Sequence, residues 1–171
     1  HNERCETMLI FTSDKKRKRE VANAELDLLI QDISKGDQTA LEQLYQYTHA
    51  SVYGFALSIL KNTHDAEDVL HDCYVSVWHG AVNYRSQGKP LAWLMTITRN
   101  LCLQQLRERR KTADIPQENW EPYLADRTGL TMEDRNVLSA CMEQLSDQER
   151  QIVTLHALSG FKHREIAAIL E

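Results

Sequence analysis

PLAWLMTITRNLCLQQLRERRK, residues 90–111, is the stretch on which the reading of the fold turns. Pro90 has the fixed φ and missing N–H that suit the first position of a helix, and Gly88-Lys89 ahead of it reads as a loop end. Leu91, Leu94, Ile97, Leu101 and Gln104/Gln105 fall at helical spacing and predict one core-seeking face. A second face carries Trp93, Thr96, Arg99, Asn100, Leu103 and Arg107, a mixture of aromatic, amide and guanidinium groups. From Arg99 to Lys111 there are five basic residues against the single acid Glu108. Such a helix can stack on bases, hydrogen-bond them and pair with phosphates. Basic residues also offset the macrodipole at a helix C-terminus, so both readings stay open at this point.

Outward from that helix, the composition points to an all-α protein. The chain has 171 residues, 42% hydrophobic and 26% charged, with only six Gly and three Pro, enough for one or two domains with real cores. No apolar run approaches the roughly 20 residues that cross a bilayer, and no signal peptide is visible. A cytoplasmic protein without membrane insertion of its own is expected. Cys5, Cys73, Cys102 and Cys141 form no CxxC pair and read as structural thiols. A zinc set of His64, His71, Cys73 and His79 matches no usual ligand spacing, so no metal or cofactor is expected. The net charge of −5 hides segregation: Lys15 to Arg19 is +5, whereas Asp65 to Asp72 holds four acids. That separation implies one anionic and one basic partner.

Taken in order, residues 1–23 lack periodicity and read as a flexible basic extension. A first helix covers Ala24–Ser34 on the stripe Leu26, Leu29, Ile30, Ile33, stopped by Gly36. Asp37 caps a longer core helix to about Leu60. Acids at Asp65-Ala-Glu-Asp68 open a third helix to about Ala81, whose exposed side carries Glu67, Asp68, His71 and Asp72 without Lys or Arg among them, which leans toward a basic protein partner. Val82–Lys89 is a polar loop suited to base recognition, although Asn, Ser and Gly are also plain turn formers. Residues 112–130 break periodicity with two Pro, one Gly and a burst of acids, and read as an interdomain linker. Thr131-x-x-Asp134 opens a helix on the stripe Val137, Leu138, Cys141, Met142, Leu145, and Ser146-Asp-Gln-Glu149 is a capping box opening the next. Lys162–Glu171 looks like the first helix of a helix-turn-helix, with no recognition helix following.

The segments DAEDVLHDCYVSVW (65–78), PLAWLMTITRN (90–100) and LSDQERQIVTLHALSGFKHREIAAILE (145–171), in this order and spacing, resemble a bacterial RNA polymerase sigma factor of the sigma-70 family, extracytoplasmic-function group. The resemblance implies two small helical domains joined by an acidic linker: region 2 at 24–111, a linker at 112–130, and at 131–171 the N-terminal part of region 4 without its recognition helix. It implies that the helix carrying Asp65, Glu67, Asp68, His71, Asp72 and Trp78 docks on the clamp helices of the polymerase β′ subunit, and that region 4 meets the β flap. Recognition and opening of the promoter −10 element is then expected from Asn83, Tyr84, Arg85 and Lys89 in the loop and Trp93, Thr96, Arg99 and Asn100 on the helix, with Arg107, Arg109 and Arg110 on the DNA backbone. A flipped non-template base would be held by the loop, where stacking on an aromatic contributes roughly 1–3 kcal/mol. Core polymerase, promoter DNA and an anti-sigma factor are the implied partners of an otherwise monomeric protein. The alternative is a stand-alone helix-turn-helix regulator, which would need a dimerisation seam that the chain lacks. With no Gly-rich phosphate loop, HExxH or nucleophile elbow, no enzyme activity is expected.

Overall fold

The computed structural model describes residues 22–112 and 132–171, so the expected basic extension, apart from its last two residues, Cys5 and all of the expected linker beyond Thr112 lie outside the described residues. Every regular element among the described residues is helical. Helix α1 (22–34) ends where Gly36 takes φ 89°, and the Asp37 carboxylate then accepts from the N–H groups of Thr39 and Ala40 at 2.8 and 3.2 Å to start α2 (Gln38–Leu60). Helix α2 is closed by Lys61 in the left-handed region (φ 55°), whose N–H bonds the Leu57 carbonyl. Helix α3 (Thr63–Gly80) starts two residues before the expected acidic turn, because the Asn62 side chain caps it by accepting from the Asp65 N–H at 3.0 Å. A 3₁₀ turn (Ala81–Asn83) and a loop to Lys89 lead into α4 (Pro90–Thr112).

The face that α4 buries differs from the predicted one. Leu94, Met95, Thr98 and Cys102 are fully buried, whereas Leu91, Ile97 and Leu101 are only half-buried, a rotation of about one residue. Thr98 tolerates the core because its hydroxyl donates back to the Leu94 carbonyl at 2.9 Å, leaving no orphaned polar group. Ile30, Ile33, Leu44, Val52, Phe55, Leu57, Val69 and Val77 complete this core from α1, α2 and α3.

The C-terminal helices α5 (Met132–Gln144), α6 (Asp147–Ser159) and α7 (His163–Leu170) do not form a separate core. Leu155, Phe161, Ile166 and Ile169 are buried in the same cluster as α2 and α4. Three polar contacts reinforce the seam: Lys61 pairs with Asp147 at 2.6 Å, the Ser51 hydroxyl donates to the Leu158 carbonyl at 3.4 Å, and Arg99 donates to the Leu170 carbonyl at 2.7 Å. Helix α5 is the exception. Val137, Leu138 and Cys141, expected in its buried stripe, are exposed, and only Met142 and Leu145 near its end are half-buried. No helix of the described residues is long and apolar enough to cross a membrane.

Candidate nucleic-acid interface

The loop from Tyr84 to Lys89 leaves the 3₁₀ turn with Tyr84 in an extended backbone and bends at Gly88, which takes φ 68°. Asn83, Arg85, Gln87 and Lys89 line a cleft of about 410 Å³ together with Trp93 and Thr96 of α4. Tyr84 also borders the cleft and reaches back to α1. Its hydroxyl donates a short hydrogen bond to Asp27 of α1, while its ring lies 4.7 Å from the Trp93 ring at a tilt of 49°. Burial first, and then the hydrogen bond and charge of Asp27, push the Tyr84 phenol well above its usual pKa, so it stays a neutral donor. Ser86 donates to the second Asp27 oxygen at 2.8 Å, and Asn23 donates to the Gly88 carbonyl at 3.3 Å.

The expected site residues therefore divide. Asn83, Arg85, Lys89, Thr96, Asn100 and Arg107 are exposed, and Trp93 is half-buried with its ring at the cleft. Tyr84 lines the same cleft but is committed to Asp27 and Trp93, which leaves it a wall and not a free stacking platform. Arg99 is half-buried under the end of α7, whose Glu165 and Ile169 border the cleft. Arg109 leaves the group altogether: it forms an ion pair with Asp65, and both side chains are largely buried. The side chain of Arg110 lies outside the described residues.

Away from the residues that line the cleft, α3 presents Glu67, Asp68, His71 and Asp72, all exposed. The exposed His64 lies 3.5 Å from Asp68, a surface contact that contributes little. Beside these acids runs an apolar groove of Leu41, Tyr45, Tyr74, Val75 and Trp78. Its wall is rigid, because Tyr45 packs on His49 and edge-on to Tyr74, and the Tyr74 hydroxyl shares a 2.7 Å hydrogen bond with Thr48. Asp65 does not join this surface, being taken up by Arg109. The four-residue zinc set does not assemble: Cys73 is buried and His64, His71 and His79 are exposed, and no cluster among the described residues could hold a metal ion.

Residues 44–112 match the family described as Sigma-70 region 2, and residues 135–171 match Sigma-70, region 4, together more than half of the chain. The chain belongs to the sigma-70 family. Its relatives within that family include the extracytoplasmic-function RNA polymerase sigma factor SigK of Mycolicibacterium vanbaalenii, 27% identical over 155 residues and covering 86% of this chain and 79% of the relative. SigK of Mycobacterium tuberculosis H37Rv is 26% identical over 153 residues, with 85% and 81% covered. Among solved structures, the sigma factor RpoE in complex with the anti-sigma factor NepR from Bartonella quintana superposes with a TM-score of 0.61 at 25% identity, over 75% of this chain and 81% of that one. CnrH in complex with the cytosolic domain of CnrY shares the fold, with a TM-score of 0.58 at 22% identity over 85% and 82%. As a sigma factor of the extracytoplasmic-function group, the protein binds core RNA polymerase and promoter DNA and directs transcription initiation. The region 2 match spans both the acid-bearing α3 and the cleft-bearing α4, a pairing that a stand-alone helix-turn-helix regulator would not carry.

Sequence reasoning missed Asp27, Ser86 and Gln87. A signal for Asp27 was available: an acid that shares a helical face with Ile30 of the apolar stripe needs a hydrogen-bonding partner once the stripe packs. Nothing in the sequence named that partner.

Proposed function

We propose that residues 24–111 form the region 2 unit, which docks on polymerase through α3 and reads and opens the −10 element through the loop and α4, with 131–171 as the N-terminal part of region 4 after a linker at 112–130. The observation that carries this reading is the placement of two unlike surfaces on one small helical body. One is an acidic edge beside an apolar groove, suited to a basic, partly apolar partner such as the β′ clamp helices. The other is a cleft of amide, guanidinium, ammonium and indole groups, suited to a single strand. In the cleft, Trp93 offers a stacking surface, Asn83, Arg85 and Thr96 offer hydrogen bonds to base edges, and Lys89 offers charge to the backbone, while Asn100 and Arg107 are exposed farther along α4 and would extend the contact. Region 4 would meet the β flap. The solved relative bound to an anti-sigma factor supports control of this chain by a partner of the same kind, and polymerase binding supports a non-catalytic role in the cytoplasm.

Co-purification with bacterial core polymerase tests the reading. Asp68→Lys with Asp72→Lys should lower affinity for the core at least tenfold, a loss of about 1.4 kcal/mol, while the circular dichroism of the free protein is unchanged. Trp93→Ala should leave core affinity intact and impair −10 opening, read by permanganate reactivity of unpaired thymines. Wild-type core affinity in the double reversal would exclude the acidic edge as the docking surface.

A further inference from the structure

The loop that borders the cleft is gripped by α1, an element that lies outside the region 2 match at 44–112. The grip is built around Asp27, only 9% exposed, which uses both of its carboxylate oxygens: one accepts from the Tyr84 hydroxyl, the other from the Ser86 hydroxyl at 2.8 Å. Asn23, one helical turn earlier, donates to the Gly88 carbonyl at 3.3 Å. The three anchored residues, 84, 86 and 88, alternate along the loop with Asn83, Arg85, Gln87 and Lys89, which line the cleft. Each cleft-lining residue is thus a direct chain neighbour of an anchored one, and its backbone is held by that anchor. An anchor that fixes where 84 and 86 point therefore also fixes where 83, 85 and 87 point.

Resting on the −10 reading above, we infer that Asp27 is a positioning residue for promoter recognition: it sets the phase of the loop, so that Asn83, Arg85 and Gln87 face the unpaired base, and base selectivity depends on it. Asp27 itself touches no DNA in this arrangement. The Tyr84 ring, wedged between Asp27 and Trp93, passes the same constraint to the indole, so that the loop and the helix face hold one relative placement. Two charge-assisted hydrogen bonds converging on a mostly buried carboxylate are strong enough to hold a short loop in one conformation.

The test uses the whole chain assembled with core polymerase and a pool of promoter fragments randomised across the −10 element. Wild type should enrich a defined sequence. Asp27→Ala should flatten the preference at the base held by the loop by about tenfold, the usual weight of one specific base contact, with core affinity unchanged. Asp27→Asn keeps an acceptor for Tyr84 and an amide that can donate to the Ser86 oxygen, so it should restore most of the selectivity; a general packing defect would not be rescued this selectively. Should Asp27→Ala fail to fold, Tyr84→Phe combined with Ser86→Ala removes the same two hydrogen bonds from the loop side and should flatten the same position. Wild-type selectivity in Asp27→Ala, or in the loop double variant, overturns the inference. A wild-type protein that binds core polymerase yet enriches no −10 sequence overturns instead the reading on which it rests.

Discussion

Arg150 shows how much one side chain can decide. Its guanidinium is 1% exposed, and it donates from Nε to the Met142 carbonyl at 2.9 Å, from one terminal nitrogen to the Leu145 carbonyl at 2.8 Å and from the other to Asp147 at 3.2 Å. Those carbonyls belong to the end of α5, where intrahelical partners run out, so the arginine closes one helix from within the next. Its planar fork suits this task and a lysine would not replace it. Arg150→Ala leaves both carbonyls without that donor and should cost about 2–3 kcal/mol, read as a lowered urea midpoint. A midpoint equal to wild type would mean that water replaces the arginine. The same scale explains the cysteines. Cys73 and Cys102 are buried; burial pushes the Cys73 thiol up to about 11 despite a hydrogen bond shared with Thr98 that lowers it, and Cys102 is also raised. Cys141 departs from the expected burial because α5 packs only through its final turn.

The turn between α6 and α7 is set by Gly160. It takes φ 66°, its N–H bonds the His156 carbonyl at 3.0 Å, and the next N–H, of Phe161, reaches back to the Leu155 carbonyl at 3.4 Å. This left-handed close swings Phe161 into the core, where it is 3% exposed, and Glu165 then accepts from the Lys162 N–H at 2.9 Å to start α7. An added Cβ at position 160 would meet nothing within 4 Å, so the effect of Gly160→Ala comes from the backbone alone. It should destabilise by about 1–2 kcal/mol, measured by thermal unfolding. No loss of stability would mean that the turn relaxes to another conformation. Gly36 and Gly160 were legible as stops from their place after apolar stripes, as were the Asp37 cap and the Ser146/Glu149 capping box. Asn62 was not, because the acids that follow it are an equally good start signal.

Across the whole molecule the seam between α2 and α6 joins the two matched regions. Lys61, held in a left-handed backbone at the end of α2, reaches the first residue of α6, Asp147. The Lys61 hydrogen bond, joined by the Lys61 and Arg150 charges, holds the Asp147 carboxyl below its ordinary pKa against the opposing effect of desolvation. A carboxyl lowered on folding adds stability above its unfolded pKa of about 3.9, and that stability is lost as pH falls through the lower folded value. The stability difference between wild type and Asp147→Asn should therefore be constant near neutrality and shrink below about pH 4. A difference independent of pH down to acid unfolding would show that the pair adds nothing to the seam.

The order of helices, the acid-bearing face of α3 and the basic, aromatic character of α4 were all readable in the sequence, because each rests on spacing along one helix, where neighbours at three and four positions share a face. Which of those residues remain available for a partner was decided only in three dimensions. Asp65 and Arg109 are 44 positions apart and neutralise each other; Tyr84 is 57 positions from the Asp27 that holds it; Arg99 is 71 positions from the carbonyl that covers it. Such pairings depend on how helices pack, and periodicity carries no information about a partner on another helix. Local spacing thus determined the fold and the two surfaces, while packing between distant elements decided which side chains those surfaces present.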